Sequence, residues 1–188
     1  MRIRVLREEY CARCPFVKRS PRSTGVRMFL EVYKERGGRV LDFGCSNWRN
    51  SRFLEGLGFY AVRMDAMADT RPDVVAYPTH MPFRDKAFDA VLLTHVLMFL
   101  EDKSHWGPAL QEAARCSRGY VVVETYHVKN GKALRYTNEE LVEALAAFSV
   151  VRRNVRPDMQ NFVLSVGGRN AYREAPRATR GGSGVRLR

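Results

Sequence analysis

The chain has 188 residues and a mass of 21.6 kDa, which suits one domain and excludes a large multidomain assembly. Hydrophobic residues make up 45%, too many for a disordered chain, yet the longest nearly apolar run, Ala90 to Leu100, falls far short of the ~20 residues of a membrane span. The net charge of +12 is uneven: +6 over residues 1–38, +1 over 39–168 and +5 over 169–188.

Residues 1–21 are irregular in pattern and hold Cys11-Ala12-Arg13-Cys14-Pro15. From Ser23, Val26, Phe29, Leu30 and Tyr33 recur at helical spacing, and Gly37-Gly38 supplies the stop. Arg39–Phe43 reads as a short buried strand running into Gly44. Phe53, Leu54 and Leu57 mark the next helix, and Tyr60–Met64 a second strand ending at Asp65. Further strands are expected at Asp73–Ala76, Phe88–Leu93 and Tyr120–Glu124, with helical segments around Val96–Leu100 and Pro108–Arg115. Asn138–Ala147 reads as a helix with Glu139 and Glu140 in its first turn, where acids suit the dipole. Val150–Val155 and Asn161–Val166 follow as strands, joined by the turn Arg156-Pro157-Asp158. Residues 169–188 combine glycine with spaced arginines and read as a basic tail. The expected organisation is thus a basic segment 1–21, a folded domain 22–168 and a tail 169–188.

Strand–helix alternation closing on a strand–turn–strand unit implies an open, mostly parallel α/β sheet with helices on both faces. Ligands bind such sheets at the carboxyl ends of the strands. Asp42–Trp48, Asp65 and Thr94-His95 all fall on that edge.

These residues resemble the class I S-adenosylmethionine-dependent methyltransferase family. Val40-Leu41-Asp42-Phe43-Gly44-Cys45-Ser46-Asn47-Trp48-Arg49-Asn50-Ser51 is similar to its first motif, an acid followed by a glycine-rich turn. Met81-Pro82-Phe83-Arg84-Asp85-Lys86-Ala87-Phe88-Asp89-Ala90-Val91 resembles its Leu-Pro-Phe segment running into the fourth strand, and Leu134–Leu141 the segment opening its last helix. The resemblance spans residues 22–168. It implies a Rossmann-like fold with a seven-stranded, mostly parallel sheet whose last strand is antiparallel, and S-adenosylmethionine as cofactor. By position it implies that the turn of Asp42, Gly44, Cys45 and Ser46 passes the methionine part of the cofactor. Asp65 would accept from the ribose hydroxyls, Tyr77 to Met81, including His80, would border the adenine, and Thr94 and His95 would face the sulfonium.

The chain departs from the family pattern in three places. Ser46 and Trp48 stand where glycine is preferred, and the indole of Trp48 either points outward, stacks on a substrate base or fills the cofactor pocket. Near Tyr77 there is no acid for the adenine amino group. The connection Ala66–Pro72 is too short for the usual helix.

His95 and His127 both follow strands at the functional edge and are the candidate general bases, since histidine titrates near neutrality. Trp106, Tyr126 and Tyr136 form either an aromatic wall or part of the core. Cys11 and Cys14 are half of a zinc knuckle, with a disulfide or free thiols as the alternatives and His80, His95, His105 and His127 as further ligand candidates. A neutral body with basic ends is the footprint of a polyanion-binding protein, with solvated surface as the alternative. Arg169, Arg173, Arg177, Arg180, Arg186 and Arg188 are spaced to track phosphates along an extended chain. With few cysteines and no apolar signal-peptide centre in Met1–Arg7, a cytoplasmic location is expected. The expected function is methyl transfer to RNA, ribosomal or transfer. The alternatives are a catalytically degenerate protein of the same fold bound to RNA or a ribonucleoprotein, and a small-molecule methyltransferase.

Overall fold

The computed structural model describes residues 22–127 and 133–166. In chain order the elements are α1 (Thr24–Val32), β1 (Gly38–Phe43), α2 (Arg49–Glu55), β2 (Phe59–Asp65), β3 (Val74–Val75), β4 (Phe88–Thr94), α3 (Trp106–Cys116), β5 (Ser117–Tyr126), α4 (Asn138–Ala144), β6 (Ser149–Val155) and β7 (Met159–Ser165). The strands form one seven-stranded sheet ordered β3-β2-β1-β4-β5-β7-β6. Every neighbouring pair is parallel except those of β7, which runs antiparallel to both β5 and β6. The expected fold class holds.

Alternation along the central strands sets the layers. Val40, Ala90, Leu92 and Val122 face one apolar cluster, together with Val26 and Phe29 of α1 and Leu54 of α2. Leu41, Phe43, Val91, Leu93, Val121 and Val123 face the other, with Leu110 of α3 and Leu141 of α4. Side chains of a strand point alternately to the two faces, so strands apolar at every position must be covered on both. Burying a side chain such as Phe29 or Leu92, each fully inaccessible, contributes about 1.5–3 kcal/mol.

Local signals place the helices. The Ser23 hydroxyl accepts from the Val26 amide at 3.2 Å and starts α1. Thr137 and Glu140 form a reciprocal capping box at the start of α4. Gly25 lets α1 approach β5 closely: a Cβ there would lie 2.9 Å from Val122 Cγ1 and 3.3 Å from Glu124 Oε2.

Several elements differ from expectation. Val96–Leu100 makes only a 3-10 turn at Leu97–Phe99, because all of these residues are buried and no polar face is left for a surface helix. α4 ends at Ala144, and β3 is a two-residue edge strand. Between β2 and β3 a single 3-10 turn, Ala68–Thr70, replaces a helix. No helix among the described residues is long and apolar enough to cross a membrane. Register brings the carboxyl ends of four strands level: Phe43 pairs with Met64 and Leu93, and Thr94 with Glu124.

Candidate functional site

At that edge β1 runs into Gly44, Ser46 and Trp48, which adopt φ of 71°, 49° and 65°. The left-handed region suits Gly44; Ser46 and Trp48 hold it despite a Cβ. The turn is tied to β2 by the Gly44 and Cys45 amides, which donate to Met64 O at 2.8 and 3.2 Å. Asp42 sits beneath the turn, and its Oδ2 accepts from the Ser51 amide at 3.1 Å and the Ser51 hydroxyl at 2.5 Å. Burial pushes the Asp42 carboxyl up to about 6, against the two Ser51 bonds. Asp42 therefore anchors the first turn of α2 and does not line the groove above.

Asp65, at the end of β2, is buried, and both of its oxygens are in use: Oδ2 accepts from the Ser46 amide and Oδ1 from the Met67 amide, each at 3.1 Å. Between this acid and the end of β4 lies a groove lined by Phe43, Gly44, Asp65, Ala66, Pro78 and His95, floored by Val96, Phe99 and Leu100. Its volume is about 20 Å³, room for about one water molecule. The buried hydroxyl of Ser46, in the turn above Asp42, has no hydrogen-bond partner among the described residues.

Trp48 lies outside this groove. Its Nε1 donates to Thr70 O at 2.9 Å, and the guanidinium groups of Arg52 and Arg63 lie 5.2 and 5.0 Å from the ring centroid. The indole does not fill the groove and is held, half-buried, against the β2–β3 connection.

A second hollow, of about 270 Å³, opens on the other side of His95 and is lined by Ser23, Thr24, Arg49, His95, Glu124, Tyr126 and Met159. Glu124, buried at the end of β5, organises it. Its Oε1 lies 2.9 Å from His95 Nε2 and 3.8 Å from Arg49, and its Oε2 accepts from the Gly25 amide at 2.6 Å. Burial works against the charged carboxylate, but His95, the Gly25 amide and Arg49 together hold it below the usual carboxylate range. The Tyr126 ring stands edge-on to His95 at 4.9 Å. Behind them, Asn50 links α1 to β4, accepting from the Ser23 amide at 2.9 Å and donating to the Thr94 hydroxyl at 3.0 Å.

Among the residues singled out from sequence, Gly44, Asp65 and His95 come together around the groove, and Ser46 is tied to it through its amide on Asp65. Thr94 is buried behind it on Asn50. Cys45 is buried, and Met81 is buried with its amide donating to Glu112. Tyr77 is half-buried and His80 exposed, its Nδ1 2.9 Å from the Thr79 hydroxyl; neither borders the groove. His127 turns away to Asn138 of α4 at 3.2 Å and to the Tyr136 ring. Trp106 and Tyr136 belong to the core, while Tyr126 lines the larger hollow. Among the described residues no three His, Cys, Asp or Glu side chains gather as a metal site requires. Cys11, Cys14 and the arginines 169, 173, 177, 180, 186 and 188 lie outside the described residues.

Glu124 and Arg49 were not singled out from sequence. A signal existed: Val121-Val122-Val123 is an uninterrupted buried run, and the charge that ends it lies on the functional edge.

The profile of the family described as a methyltransferase domain matches residues 16–154. Several solved structures share the fold. A protein from Pyrococcus horikoshii superposes with a TM-score of 0.67 at 16% identity, over 84% of this chain and 98% of that one. A SAM-dependent methyltransferase from Aquifex aeolicus gives 0.61 at 13% identity, over 78% and 92%. The 1,6-didemethyltoxoflavin-N1-methyltransferase of Burkholderia thailandensis, solved with 1,6-didemethyltoxoflavin and S-adenosylhomocysteine bound, gives 0.59 at 18% identity, over 76% and 78%. No curated protein sequence matches the chain.

Proposed function

The chain belongs to the methyltransferase-domain family, and from that membership we propose that it transfers a methyl group from S-adenosylmethionine to RNA. The observation that carries this reading is the place of His95, which lines both the groove beside Asp65 and the larger hollow. A methyl donor on one side and an acceptor on the other would meet at that residue.

The donor set of the groove fits the cofactor. Asp65 lines the groove as an acceptor for a pair of hydroxyls, and Gly44 lines it with a backbone without Cβ. The space must open, because about 20 Å³ is far below the roughly 300–1,000 Å³ of small-molecule sites. S-adenosylmethionine supplies an electrophilic methyl group on a sulfonium. The chain's own part is to bind and orient: Asp65 holds hydroxyls, the Gly44 turn sets the depth, and Glu124 fixes the His95 ring that separates the two spaces. Alignment of nucleophile and sulfonium supplies much of the acceleration, so a base at His95 or His127 is not obligatory.

Support for RNA as acceptor is the net charge of +12 and its concentration in the two ends. Tyr126 and Arg49 both line the larger hollow, side chains of the kinds on which an unstacked base would stack. Phosphates would be gripped by Arg169, Arg173, Arg177, Arg180, Arg186 and Arg188, and the location would be cytoplasmic. One observation favours a second reading, in which the protein binds RNA or a ribonucleoprotein without catalysis: the groove beside Asp65 holds only about 20 Å³.

Incubation with S-adenosylmethionine labelled on the methyl group and with total RNA tests the proposal. Label should enter RNA and not a small-molecule extract. Label in the extract alone would turn the reading to a small-molecule methyltransferase, and label in neither, with RNA still bound, to the non-catalytic protein.

A further inference from the structure

Two clasps hold the Gly44–Trp48 turn against the β2–β3 connection. The inner one is Asp65, which joins the Ser46 amide of the turn to the Met67 amide of the connection. The outer one is Trp48, whose Nε1 donates to Thr70 O at 2.9 Å. One reaches the 3-10 turn Ala68–Thr70 and the other its N-cap Met67, whose carbonyl takes the Thr70 hydroxyl and amide at 2.9 and 3.3 Å. The indole is fixed as well as bonded. Arg52 covers it from α2 and Arg63 from β2, and Arg63 is itself tied to Glu55 and, at 3.8 Å, to Asp73. With guanidinium groups held against the ring, its role here is mechanical, and stacking on a base would require them to leave.

We propose that Trp48 is a latch on cofactor entry, holding the groove beside Asp65 closed until the cofactor displaces the turn from the β2–β3 connection. The proposal rests on the cofactor reading above. A ligand carrying vicinal hydroxyls would bring its donors to the Asp65 oxygens that now join the Ser46 and Met67 amides. It must also widen a space of about 20 Å³, and widening separates the two segments that Trp48 pins together. The closed state then lowers the measured affinity by the fraction of molecules that are open. A glycine at this position has no such bond, so the tryptophan converts an open entrance into a gated one.

Trp48→Phe keeps an aromatic ring between the two arginines and removes only the N–H donor. Losing one hydrogen bond of ordinary strength from the closed state should tighten S-adenosylhomocysteine binding by about fivefold, through faster association. Calorimetry and stopped-flow mixing on the full chain read this. A second measurement needs no substitution. The chain has two tryptophans, and the other, Trp106, is buried with its Nε1 on Leu97 O at 2.9 Å. In 5-fluorotryptophan-labelled protein the half-buried Trp48 is identified by its fluorine shift between H2O and D2O. Saturation with S-adenosylhomocysteine should move the Trp48 resonance and leave that of Trp106 in place. Binding with an unmoved Trp48 resonance, or with equal affinity and association rate in Trp48→Phe, overturns the latch and leaves the cofactor reading intact. No binding at millimolar concentration, by wild type or variant, overturns both.

Discussion

Nε2 of His95 lies 2.9 Å from Oε1 of Glu124, and the other oxygen of that carboxylate takes the Gly25 amide at 2.6 Å. One buried acid thus joins the residue that separates the two hollows to the first turn of the helix that walls the larger one. The position of α1 and the orientation of the His95 ring are consequently a single structural fact.

Removing that acid should loosen both. Glu124→Ala leaves its cationic and amide partners uncompensated in a buried site, and a loss of about 3–5 kcal/mol is expected in urea unfolding. Glu124→Gln keeps the shape and should lose less, about 1.5–3 kcal/mol. Because the carboxyl is held below its ordinary range, its contribution is present above the unfolded glutamate pKa and is lost as pH falls through the folded one. The gap between wild type and the Gln variant should therefore narrow as the medium is acidified below about pH 4. A gap independent of pH would remove the ion pair from the account.

Gly25→Ala tests how closely α1 approaches the sheet. Its Cβ would come within 2.9 Å of Val122 Cγ1, in a layer already fully packed. Overpacking of this kind costs about 1–3 kcal/mol, read as a lower Tm. An unchanged Tm would mean that the helix sits further out than 2.9 Å implies.

Asp42 predicts the opposite pH dependence from Glu124. Its carboxyl is pushed up to about 6 by burial, so between the ordinary aspartate range and pH 6 the folded state binds the extra proton. Stability from this group is complete at the acid end and declines as pH rises through that window, by about 2–3 kcal/mol in total. Asp42→Asn should remove the decline, so wild type loses ground to the variant as pH rises from about 4 to about 6. Parallel curves would contradict the buried placement of Asp42.

The basic ends predict a salt dependence. If the six tail arginines each contact a phosphate, the log–log slope of RNA affinity against salt should be roughly −4 to −5. Truncation to residues 22–168 should flatten that slope and weaken binding together. Equal slopes would reduce the charge to solvated surface.

What was legible in the sequence was whatever a single period or residue type encodes. The apolar runs in Val40–Phe43 and Phe88–Leu93 place buried strands, Asp65 ends β2, and Glu139 with Glu140 marks the first turn of α4. What escaped depends on long-range contacts. Glu124 meets Gly25, 99 positions away in sequence, and the apolar run before it places it at the functional edge without showing what it meets. The direction of Trp48 was open for the same reason, since Thr70, Arg52 and Arg63 meet at the indole only once β2 lies beside β1. Val96–Leu100 misled because an apolar run carries no periodicity to separate a helix from a buried turn. His127 follows a strand as His95 does, but His95 lines the hollows while His127 bonds to α4.

The central claim is that the groove between Gly44 and Asp65 receives S-adenosylmethionine, and calorimetric titration of wild type and Asp65→Ala with that cofactor tests it most directly. The account predicts measurable binding by wild type and a loss of about ten- to a hundredfold in the variant, as expected for one or two charge-assisted hydrogen bonds. Heat of binding absent from wild type at millimolar cofactor, or equal affinity in the two proteins, would contradict it.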